Sequence, residues 1–239
     1  MKAFLLAGGR GERLRPLTLT TPKCLVPVNG EPLLGIWLAH LEREGVTEVL
    51  LNVSHHVDQV ESFLAARVSQ RMRVRLVVEQ EPVGTAGTVR DQSWFVEDVD
   101  DFWVFYADNL TDVALAPMRR AHRQHGATLT LGLFRAPNPR AAGIVALDER
   151  GTIVDFEEKP AHPRSDLANA GIYLAHRDLI DVLPRTSEVL DFGHHVFPRL
   201  LGRMAGHVVD AFLMDVGTPE ALTRAAAAWS RRPHTESPA

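Results

Sequence analysis

The sequence has few of the features that mark secreted, membrane or nucleic-acid-binding proteins. Its 239 residues include a single cysteine, Cys24, so no disulfide can form within the chain and a reducing cytoplasm is the expected compartment. No apolar run reaches the ~18 residues of a membrane span, and we expect neither a signal sequence nor a membrane anchor. The net charge of −4 argues against a nucleic-acid partner, although a local cluster of cations can still hold phosphate groups.

The composition is that of an ordinary globular protein. Hydrophobic residues make up 45% of the chain and charged residues 23%. This length suits one well-buried α/β domain. We assign residues 1–229 to that domain and residues 230–239 to a polar, frayed tail.

The first half alternates between short apolar runs and helical patterns. The predicted strands are 2–7, 49–53, 74–78 and 102–107, and the predicted helices are 32–44, 57–67, 85–95 and 114–125. Residues Leu34, Trp37 and Leu38 share one helical face and are expected in the core rather than at a dimer contact. This alternation predicts a parallel, doubly wound sheet, in which ligands bind beyond the carboxyl ends of the strands.

The second half is different, because its strand-like runs follow one another closely. They are 128–134, 144–147, 153–157 and 170–175, with a tight hairpin turn predicted at 148–151 and helices at 177–183, 198–203 and 219–229. The pattern predicts a mixed sheet that extends the core and carries a second ligand. We therefore expect one Rossmann-like α/β domain with a nucleotide half and a substrate half.

A glycine-rich turn follows the first predicted strand. Gly8, Gly9 and Gly11 lack a Cβ, so their backbone N–H groups can approach a polyphosphate closely. Arg13 and Lys23 add two fixed positive charges for phosphate oxygens. The segment matches neither the P-loop pattern nor the dinucleotide fingerprint, since it lacks G-x-x-x-x-G-K-[ST] and the third glycine of G-x-G-x-x-G.

Two aspartates follow apolar segments that lie far apart in the chain. Asp108 ends the strand-like run 102–107, and Asp215 stands in the segment 213–219 before a glycine and a helix. Taken singly, such an aspartate more often caps a helix or forms a turn. Brought together, the two carboxylates suit Mg²⁺, which binds a few protein oxygens together with water and substrate phosphate.

The whole string G-G-x-G-x-R-L-x-P-L-T-x(4)-K-x-L-x-P-V, over residues 8–28, resembles the signature loop of the sugar-1-phosphate nucleotidyltransferases. The resemblance extends to about residue 229. It implies a GT-A-like fold and an enzyme that joins a sugar 1-phosphate to an NTP. It also implies that Asp108 and Asp215 bind Mg²⁺, and that Arg13 and Lys23 are catalytic. In this interpretation Arg13 holds the β- and γ-phosphates, and Lys23 holds the α-phosphate and the incoming phosphate.

The family likeness also predicts the nucleotide-binding residues. These are Leu6, Ala7, Gly8, Gly9, Gly11, Arg13, Glu79, Glu81, Gly84, Thr85 and Ala107. The segment 79–87 resembles the one that lies against the nucleobase in these enzymes. A carboxylate here, Glu79 or Glu81, can accept from the N1–H and the 2-amino group of guanine, whereas thymine and uracil offer one imide donor.

The predicted sugar-phosphate residues are Asn109, Gly143, Glu158, Lys159 and Asn169. Residues 158–160 match the family's E-K-P motif, and residues 169–173 match its N-A-G-x-Y motif. Ala142 stands where the family usually has a tyrosine before the glycine, so one aromatic wall of the sugar pocket is lost. This departure puts the usual hexose in question.

Within the family, the chain is most similar to the mannose-1-phosphate and heptose-1-phosphate guanylyltransferase branch, so GTP is the favoured nucleotide. The alternatives are a glucose-1-phosphate thymidylyl- or uridylyltransferase, and a guanylyltransferase for a sugar-like cyclitol phosphate. An alternative of another class is a catalytically inactive subunit that senses nucleotide sugars. Such a subunit would be expected to lose Lys23, Arg13 or a metal aspartate, and all are present. A homodimer is a candidate assembly.

Overall fold

The computed structural model describes residues 1–67, 69, 71–186 and 188–232. Its strands are β1 (Lys2–Leu6), β2 (Pro27–Val28), β3 (Glu31–Pro32), β4 (Glu48–Val53), β5 (Arg73–Val78), β6 (Asp101–Tyr106), β7 (Asn109–Thr111), β8 (Leu129–Arg135), β9 (Gly143–Leu147), β10 (Ile153–Glu158), β11 (Leu167–His176), β12 (Met204–Val208) and β13 (Leu213–Asp215). Its α-helices are α1 (Leu33–Arg43), α2 (Val57–Ala66), α3 (Thr85–Asp91), α4 (Leu115–His125), α5 (Leu179–Val182), α6 (Phe197–Leu200) and α7 (Pro219–Trp229).

A mixed sheet forms the centre of the molecule. Its main path runs in the order β10-β9-β11-β6-β1-β4-β5. Strand β8 pairs with β11, and β12 pairs with β8. Strands β6, β1, β4 and β5 are parallel to one another, whereas β11 runs antiparallel to β6 and to β8. The predicted α/β fold with a doubly wound mixed sheet is confirmed. Most of its parallel part is formed by the first half of the chain, and the second half adds the parallel pair β8 and β12.

Both faces of the sheet are covered by apolar side chains. On β1, Ala3 and Leu5 pack into one core while Phe4 and Leu6 pack into the other, because successive side chains of a strand point to opposite faces. The first core includes Trp37 from α1, and the second includes Phe95 and the π-helical turn at Phe192–Val196. Burial on both faces explains why the parallel strands read as continuous apolar runs. The expectation that the α1 face belongs to the core is confirmed, since Leu34, Trp37 and Leu38 are all buried.

Strand β11 joins the two halves of the sheet. Its last residues, Ile172–His176, pair with β6, and Ala168 meets Ile144 of β9. The residues 167–169 and 173–175 pair with β8. The register with β8 shifts between Asn169 and Tyr173, and Gly171 inside this bulge has a φ of 67°. A glycine accommodates that left-handed conformation without strain.

Several predicted element bounds need correction. The predicted helix 85–95 ends at Asp91 and continues as a separate 3₁₀ turn over Ser93–Val96. The predicted helix 198–203 is the short α6, because Leu201 takes an extended conformation, and the π-helical turn Phe192–Val196 precedes it. The predicted helix 177–183 is reduced to the four residues of α5. Strands β2, β3, β7, β12 and β13 were not predicted. Residues 233–239 of the predicted tail lie outside the described residues.

Candidate active site

The glycine-rich turn leaves β1 at the carboxyl edge of the parallel strands. Gly11 adopts a left-handed φ of 63°, and its carbonyl oxygen accepts a hydrogen bond from Thr18 Oγ1 at 2.7 Å. Ser54 Oγ donates to the carbonyl oxygen of Gly8 at 2.7 Å, which ties the turn to the end of β4. With these carbonyl oxygens bound to protein donors, the turn has a fixed shape along one wall of a cleft.

A polar network of three residues lies at the base of this cleft. Asn52 Oδ1 accepts from the backbone N–H of Ala7 at 2.8 Å, and Asn52 Nδ2 donates to Glu79 Oε1 at 3.0 Å. Thr88 Oγ1 also donates to Glu79 Oε1, at 2.6 Å. Two donors therefore fix one oxygen of Glu79, while Oε2 of the same carboxylate lies beside Gly8. A carboxylate held in this way is a preorganised acceptor for a ligand in the cleft.

Lys23 and Asp108 form an ion pair at the centre of the site. Lys23 Nζ donates to Asp108 Oδ2 at 2.7 Å, with the Lys23 side chain 11% exposed and that of Asp108 38% exposed. Because Lys23 is partly desolvated, its charge is screened less by water than that of a surface lysine. A phosphate oxygen can replace Asp108 as the partner of the Lys23 ammonium group. A cation can replace Lys23 as the partner of the Asp108 carboxylate.

Asp215 is brought beside Asp108 by backbone pairing. Strand β13 runs antiparallel to β7, with Asp215 opposite Asn109, and the N–H of Val216 donates to the carbonyl oxygen of Asp108 at 3.0 Å. Loss of hydration, and then the negative charge of Asp108, raise the pKa of Asp215, while Lys23 and Arg13 act in the opposite direction. The predicted convergence of these two distant aspartates is therefore present.

Gly217 gives Asp215 and Arg13 the space they occupy. An ideal Cβ on Gly217 would lie 2.8 Å from Asp215 Oδ1 and 2.9 Å from an Nη of Arg13. Both distances are shorter than real Cβ contacts, so a side chain here would displace one of the two charged groups. The Arg13 side chain is itself exposed at the mouth of the cleft.

The nucleotide side of the site is a cleft of about 490 Å³. It is lined by the glycine-rich turn, by Lys23 and Asp108 and by the start of α3, and it includes most of the predicted nucleotide-binding residues. Of these, Leu6, Ala7, Gly8, Gly9, Gly11, Arg13, Glu79, Gly84, Thr85 and Ala107 line the cleft. Cys24 also lines it, but burial raises the pKa of the Cys24 thiol to about 12, so it is a neutral thiol at pH 7.

A second cavity of about 340 Å³ adjoins the first. Arg13, Tyr106 and Asp108 line both, so the two cavities meet beside the Lys23–Asp108 pair. The predicted sugar-phosphate residues Asn109, Gly143, Glu158 and Asn169 line the second cavity, as does Asp215. An ideal Cβ on Gly143 would lie 2.7 Å from Glu158 Oε2, so only glycine leaves that carboxylate in its place.

Two predicted residues lie outside these linings. Glu81 is exposed, so of the two carboxylates considered for the nucleobase it is Glu79 that lines the cleft. Lys159 follows Glu158 with a φ of 50°, and its side chain is 66% exposed, with Nζ 3.8 Å from Glu158 Oε1. Lys159 must therefore reach a ligand from solvent rather than from the cavity wall.

Sequence patterns missed several residues of the site. Asn52 and Thr88 hold Glu79, while Tyr106, Asp191 and Gly193 line the second cavity. One signal was available for Asn52, which is a single polar residue within the apolar run of β4 and is 4% exposed. A buried polar side chain needs a hydrogen-bond partner, and that requirement points to a nearby network. Asp191 carries no comparable signal, because it follows no regular strand or helix pattern.

Comparison with known proteins shows the family of the chain. The family model described as nucleotidyl transferase matches residues 2–232. The chain belongs to this nucleotidyl transferase family. Its recognition as a member of the sugar-1-phosphate nucleotidyltransferases is confirmed by the names of its curated relatives.

Three relatives illustrate the range within the nucleotidyl transferase family. A mannose-1-phosphate guanylyltransferase of Mycobacterium tuberculosis is 35% identical over 94% of this chain and 63% of its own length. A UTP–glucose-1-phosphate uridylyltransferase of Synechocystis is 33% identical over 84% of this chain and 55% of its own length. A glucose-1-phosphate thymidylyltransferase of Streptomyces griseus is 36% identical over 73% of this chain and 49% of its own length. The chain thus spans about half to three fifths of the length of these relatives.

Two solved structures share the fold. The crystal structure of a putative glucose-1-phosphate thymidylyltransferase from Bacillus anthracis superposes with a TM-score of 0.87 at 24% identity, covering 99% of this chain and 98% of that one. HddC from Yersinia pseudotuberculosis superposes with a TM-score of 0.82 at 23% identity, covering 95% and 99% of the two chains. Across the described residues, no helix combines the length and apolar character needed to cross a bilayer.

Proposed function

We propose that the protein transfers a nucleotidyl group from an NTP to a sugar 1-phosphate and releases pyrophosphate. The observation that carries this proposal is the meeting of the two cavities at the Lys23–Asp108 pair. A nucleotide held by the glycine-rich turn would place its α-phosphate at that junction. A sugar held in the second cavity would present its phosphate from the opposite side.

The reaction needs positioning and charge stabilisation more than proton transfer. An oxygen of the sugar phosphate, already anionic at neutral pH, forms a bond to the α-phosphorus. The bond from the α-phosphorus to the oxygen that bridges to the β-phosphate breaks, and pyrophosphate leaves with its electron pair. Because two anions must approach each other, the protein's task is to align them and to stabilise the charge that develops.

The cations of the site suit this task. Backbone N–H groups of Gly8, Gly9 and Gly11 would cradle the triphosphate, with Arg13 on the β- and γ-phosphates. Lys23 would bind the α-phosphate and the incoming phosphate by exchanging its bond to Asp108. Lys159, exposed beside Glu158, would steady the sugar phosphate from the solvent side.

Mg²⁺ is the proposed cofactor, held by Asp108 and Asp215. The donor set fits this ion, since both groups are carboxylates. Loss of hydration, and then the negative charge of Asp108, raise the pKa of Asp215, and a cation between the two carboxylates would oppose both effects. Within the described residues no cluster of three or more His, Cys, Asp or Glu side chains is arranged to hold a metal, so phosphate and water would complete the coordination. When bound, the ion would neutralise charge on the two phosphates.

GTP with a manno-configured hexose or heptose 1-phosphate is the favoured substrate pair. The fixed carboxylate of Glu79 supports guanine, because guanine offers two adjacent donors that a carboxylate can accept. The relative from Mycobacterium tuberculosis, whose name is mannose-1-phosphate guanylyltransferase, supports the same assignment.

The runner-up is a glucose-1-phosphate thymidylyl- or uridylyltransferase, which is favoured by the names of the relatives from Streptomyces griseus and Synechocystis. A cyclitol phosphate as the acceptor is favoured by Ala142, which lines the second cavity in place of the family's tyrosine. The inactive sensing subunit is disfavoured, because Arg13, Lys23, Asp108 and Asp215 converge on one junction.

Pyrophosphate release with Mg²⁺ tests this function. The assay crosses GTP, dTTP, UTP, CTP and ATP with mannose, glucose and heptose 1-phosphates and with a cyclitol phosphate. We expect turnover with GTP and a manno-configured acceptor. Turnover with dTTP or UTP and glucose 1-phosphate would replace the favoured pair by the runner-up. Silence across the grid, in protein that still binds a nucleotide, would favour the sensing subunit.

A further inference from the structure

Asp191 lies in the second cavity, although no sequence motif points to it. It precedes the π-helical turn Phe192–Val196 and lines the cavity together with Glu158 and Gly193. Its side chain is neither buried in the core nor free on the outer surface. Its position therefore raises the question of what the carboxylate contacts when an acceptor is bound.

Protein donors fix the orientation of this carboxylate. Asp191 Oδ1 accepts from the N–H of Gly193 at 2.8 Å, and Oδ2 accepts from Thr85 Oγ1 at 2.9 Å. The backbone N–H of Asp191 donates to His195 Nδ1 at 2.9 Å. The N–H of His194 also donates to Asp191 Oδ1, at 3.4 Å, so both acceptor directions of Oδ1 are used. A carboxylate oxygen has two lone-pair directions, so Oδ2, with one donor, retains capacity for a further one.

Glu158 lies close to the same point. An ideal Cβ on Gly193 would lie 3.2 Å from Asp191 Oδ1 and 3.3 Å from Glu158 Oε2, so the two carboxylates are near neighbours in the cavity. Two like charges so placed repel each other, and hydroxyl donors between them relieve that repulsion. Neighbouring hydroxyl groups on a ring provide such donors.

Thr85 connects this carboxylate to the nucleotide cleft. Thr85 begins α3 and lines that cleft, and its Oγ1 donates to Asp191 while accepting from the N–H of Phe192 at 3.1 Å. The backbone of Leu190 is also bonded to α3, since its carbonyl oxygen accepts from the N–H of Ala86 at 2.9 Å. The position of Asp191 is therefore set relative to the nucleotide and not only relative to the acceptor.

We propose that Asp191 is a specificity-determining residue of the acceptor pocket, where it and Glu158 accept hydrogen bonds from two neighbouring ring hydroxyls of the sugar or cyclitol phosphate. The bond to Thr85 sets the ring at a fixed place relative to the nucleotide. This inference rests on the proposed function and names the chemistry of its acceptor: a ring phosphate with adjacent free hydroxyls.

The competing explanation is that Asp191 only caps the turn that follows it. The variant Asp191→Asn separates the two roles, because Oδ1 of asparagine can still accept from Gly193 while the negative charge is lost. We expect KM for the acceptor to rise about tenfold or more, as for the loss of a hydrogen bond to a charged group. KM for the NTP and the melting temperature should stay close to wild type.

Asp148→Asn is the matched control. Asp148 Oδ1 accepts from the backbone N–H groups of Arg150 and Thr152 at 2.9 and 2.8 Å in an exposed hairpin that lines neither cavity. Its substitution should leave both KM values unchanged. A fall in melting temperature in Asp191→Asn with equal changes in both KM values would show a structural cap and overturn the proposal.

Monodeoxy acceptors identify the hydroxyl. For the analogue that lacks the hydroxyl bound by Asp191, the wild type should lose affinity and Asp191→Asn should show no further loss. The proposal would be overturned if Asp191→Asn lost the same affinity as the wild type for every monodeoxy analogue. It would also be overturned if the acceptor KM of Asp191→Asn were unchanged. If the wild type turns over no ring phosphate at all, both this inference and the proposed function fail. If the wild type is active and Asp191→Asn has the wild-type acceptor KM, only the proposed role of Asp191 fails.

Discussion

Lys23 differs from most lysines in being partly desolvated and fixed by one carboxylate. If it stabilises the charge on the α-phosphate, Lys23→Ala should lower kcat about a hundredfold or more, the range found when a preorganised donor is removed. Initial rates of pyrophosphate release measure this effect. Lys2→Ala is the matched control, because Lys2 is also ion-paired, at 2.6 Å to Asp98, and its side chain is also mostly buried, at 13% exposed. Lys2 begins β1, at the end of the strand opposite to the site. Near-normal turnover in Lys23→Ala would contradict the assignment.

Glu79 offers a test of base preference. In Glu79→Gln one oxygen can remain bonded to Asn52 and Thr88, while the amide nitrogen turns into the cleft as a donor. We expect kcat/KM for GTP to fall about tenfold or more, since a charged acceptor is lost, and the ratio of UTP or dTTP to GTP turnover to rise. Glu81→Gln, at an exposed position nearby, should leave the ratio unchanged. An unaltered ratio in Glu79→Gln would move base recognition to other residues.

At the scale of single elements, the stability of α7 depends on the residue that precedes and caps it. Thr218 Oγ1 accepts from the N–H of Ala221 at 3.1 Å, and Thr218 follows Gly217, the residue that leaves space for Arg13 and Asp215. Thr218→Ala should lower the free energy of unfolding by about 1 kcal/mol, the usual value of an N-cap. Urea unfolding measures this difference. Thr223→Ala, at an exposed site of the same helix, should change it by less than about 0.5 kcal/mol, and equal effects would argue against capping.

The elements also show how far the sequence carries a prediction. Strands β1, β4 and β6 can be predicted because burial on both faces of the sheet leaves a nearly continuous apolar run. Strand β5 is only half-buried but is still mostly apolar, and helix α1 follows from the spacing of its apolar residues. The residue pairs that build the site depend on long-range contacts. Asp215 meets Asp108 through the two short strands β7 and β13, which are too brief to leave a pattern.

The two missed groups differ in what the sequence could have shown. Asn52 interrupts an apolar strand, and its burial requires a partner, so a network near β4 was open to inference. Asp191 stands in the irregular segment between α5 and α6, where neither periodicity nor a motif applies. Its role depends on Thr85, which is 106 residues away in the chain.

At the scale of the whole molecule, three buried or half-buried histidines predict how stability depends on pH. Burial is the first cause that lowers the pKa of His40, His122 and His207, while Asp101 partly opposes the shift at His122. In the folded protein these imidazoles bind a proton only at a lower pH than in the unfolded chain, where they do so below about pH 6.5. The unfolded state then holds more protons, so stability falls as the pH falls.

The urea midpoint should therefore be lower at pH 5.5 than at pH 7.5. Carboxylates such as Asp98, whose pKa is lowered by Lys2, act in a more acidic window, below their ordinary value of 3.8. His40→Gln should reduce the dependence, whereas His162→Gln, at an exposed position, should not. A midpoint that is constant or higher at pH 5.5 would contradict this prediction.

Strand β11 fixes the distance between the acceptor cavity and the junction of the two cavities. Asn169 borders the acceptor cavity, and Tyr173, four residues later, packs against Tyr106 at the junction of the two cavities. The same backbone carries both across the bulge at Gly171, and Asn169 Nδ2 donates to the hydroxyl oxygen of Tyr173 at 2.8 Å, so one bonded segment of strand fixes the spacing. Residues deleted from or inserted into 169–173 would change this spacing by whole steps. A bulge within one continuous strand thus sets how far the acceptor cavity lies from the junction.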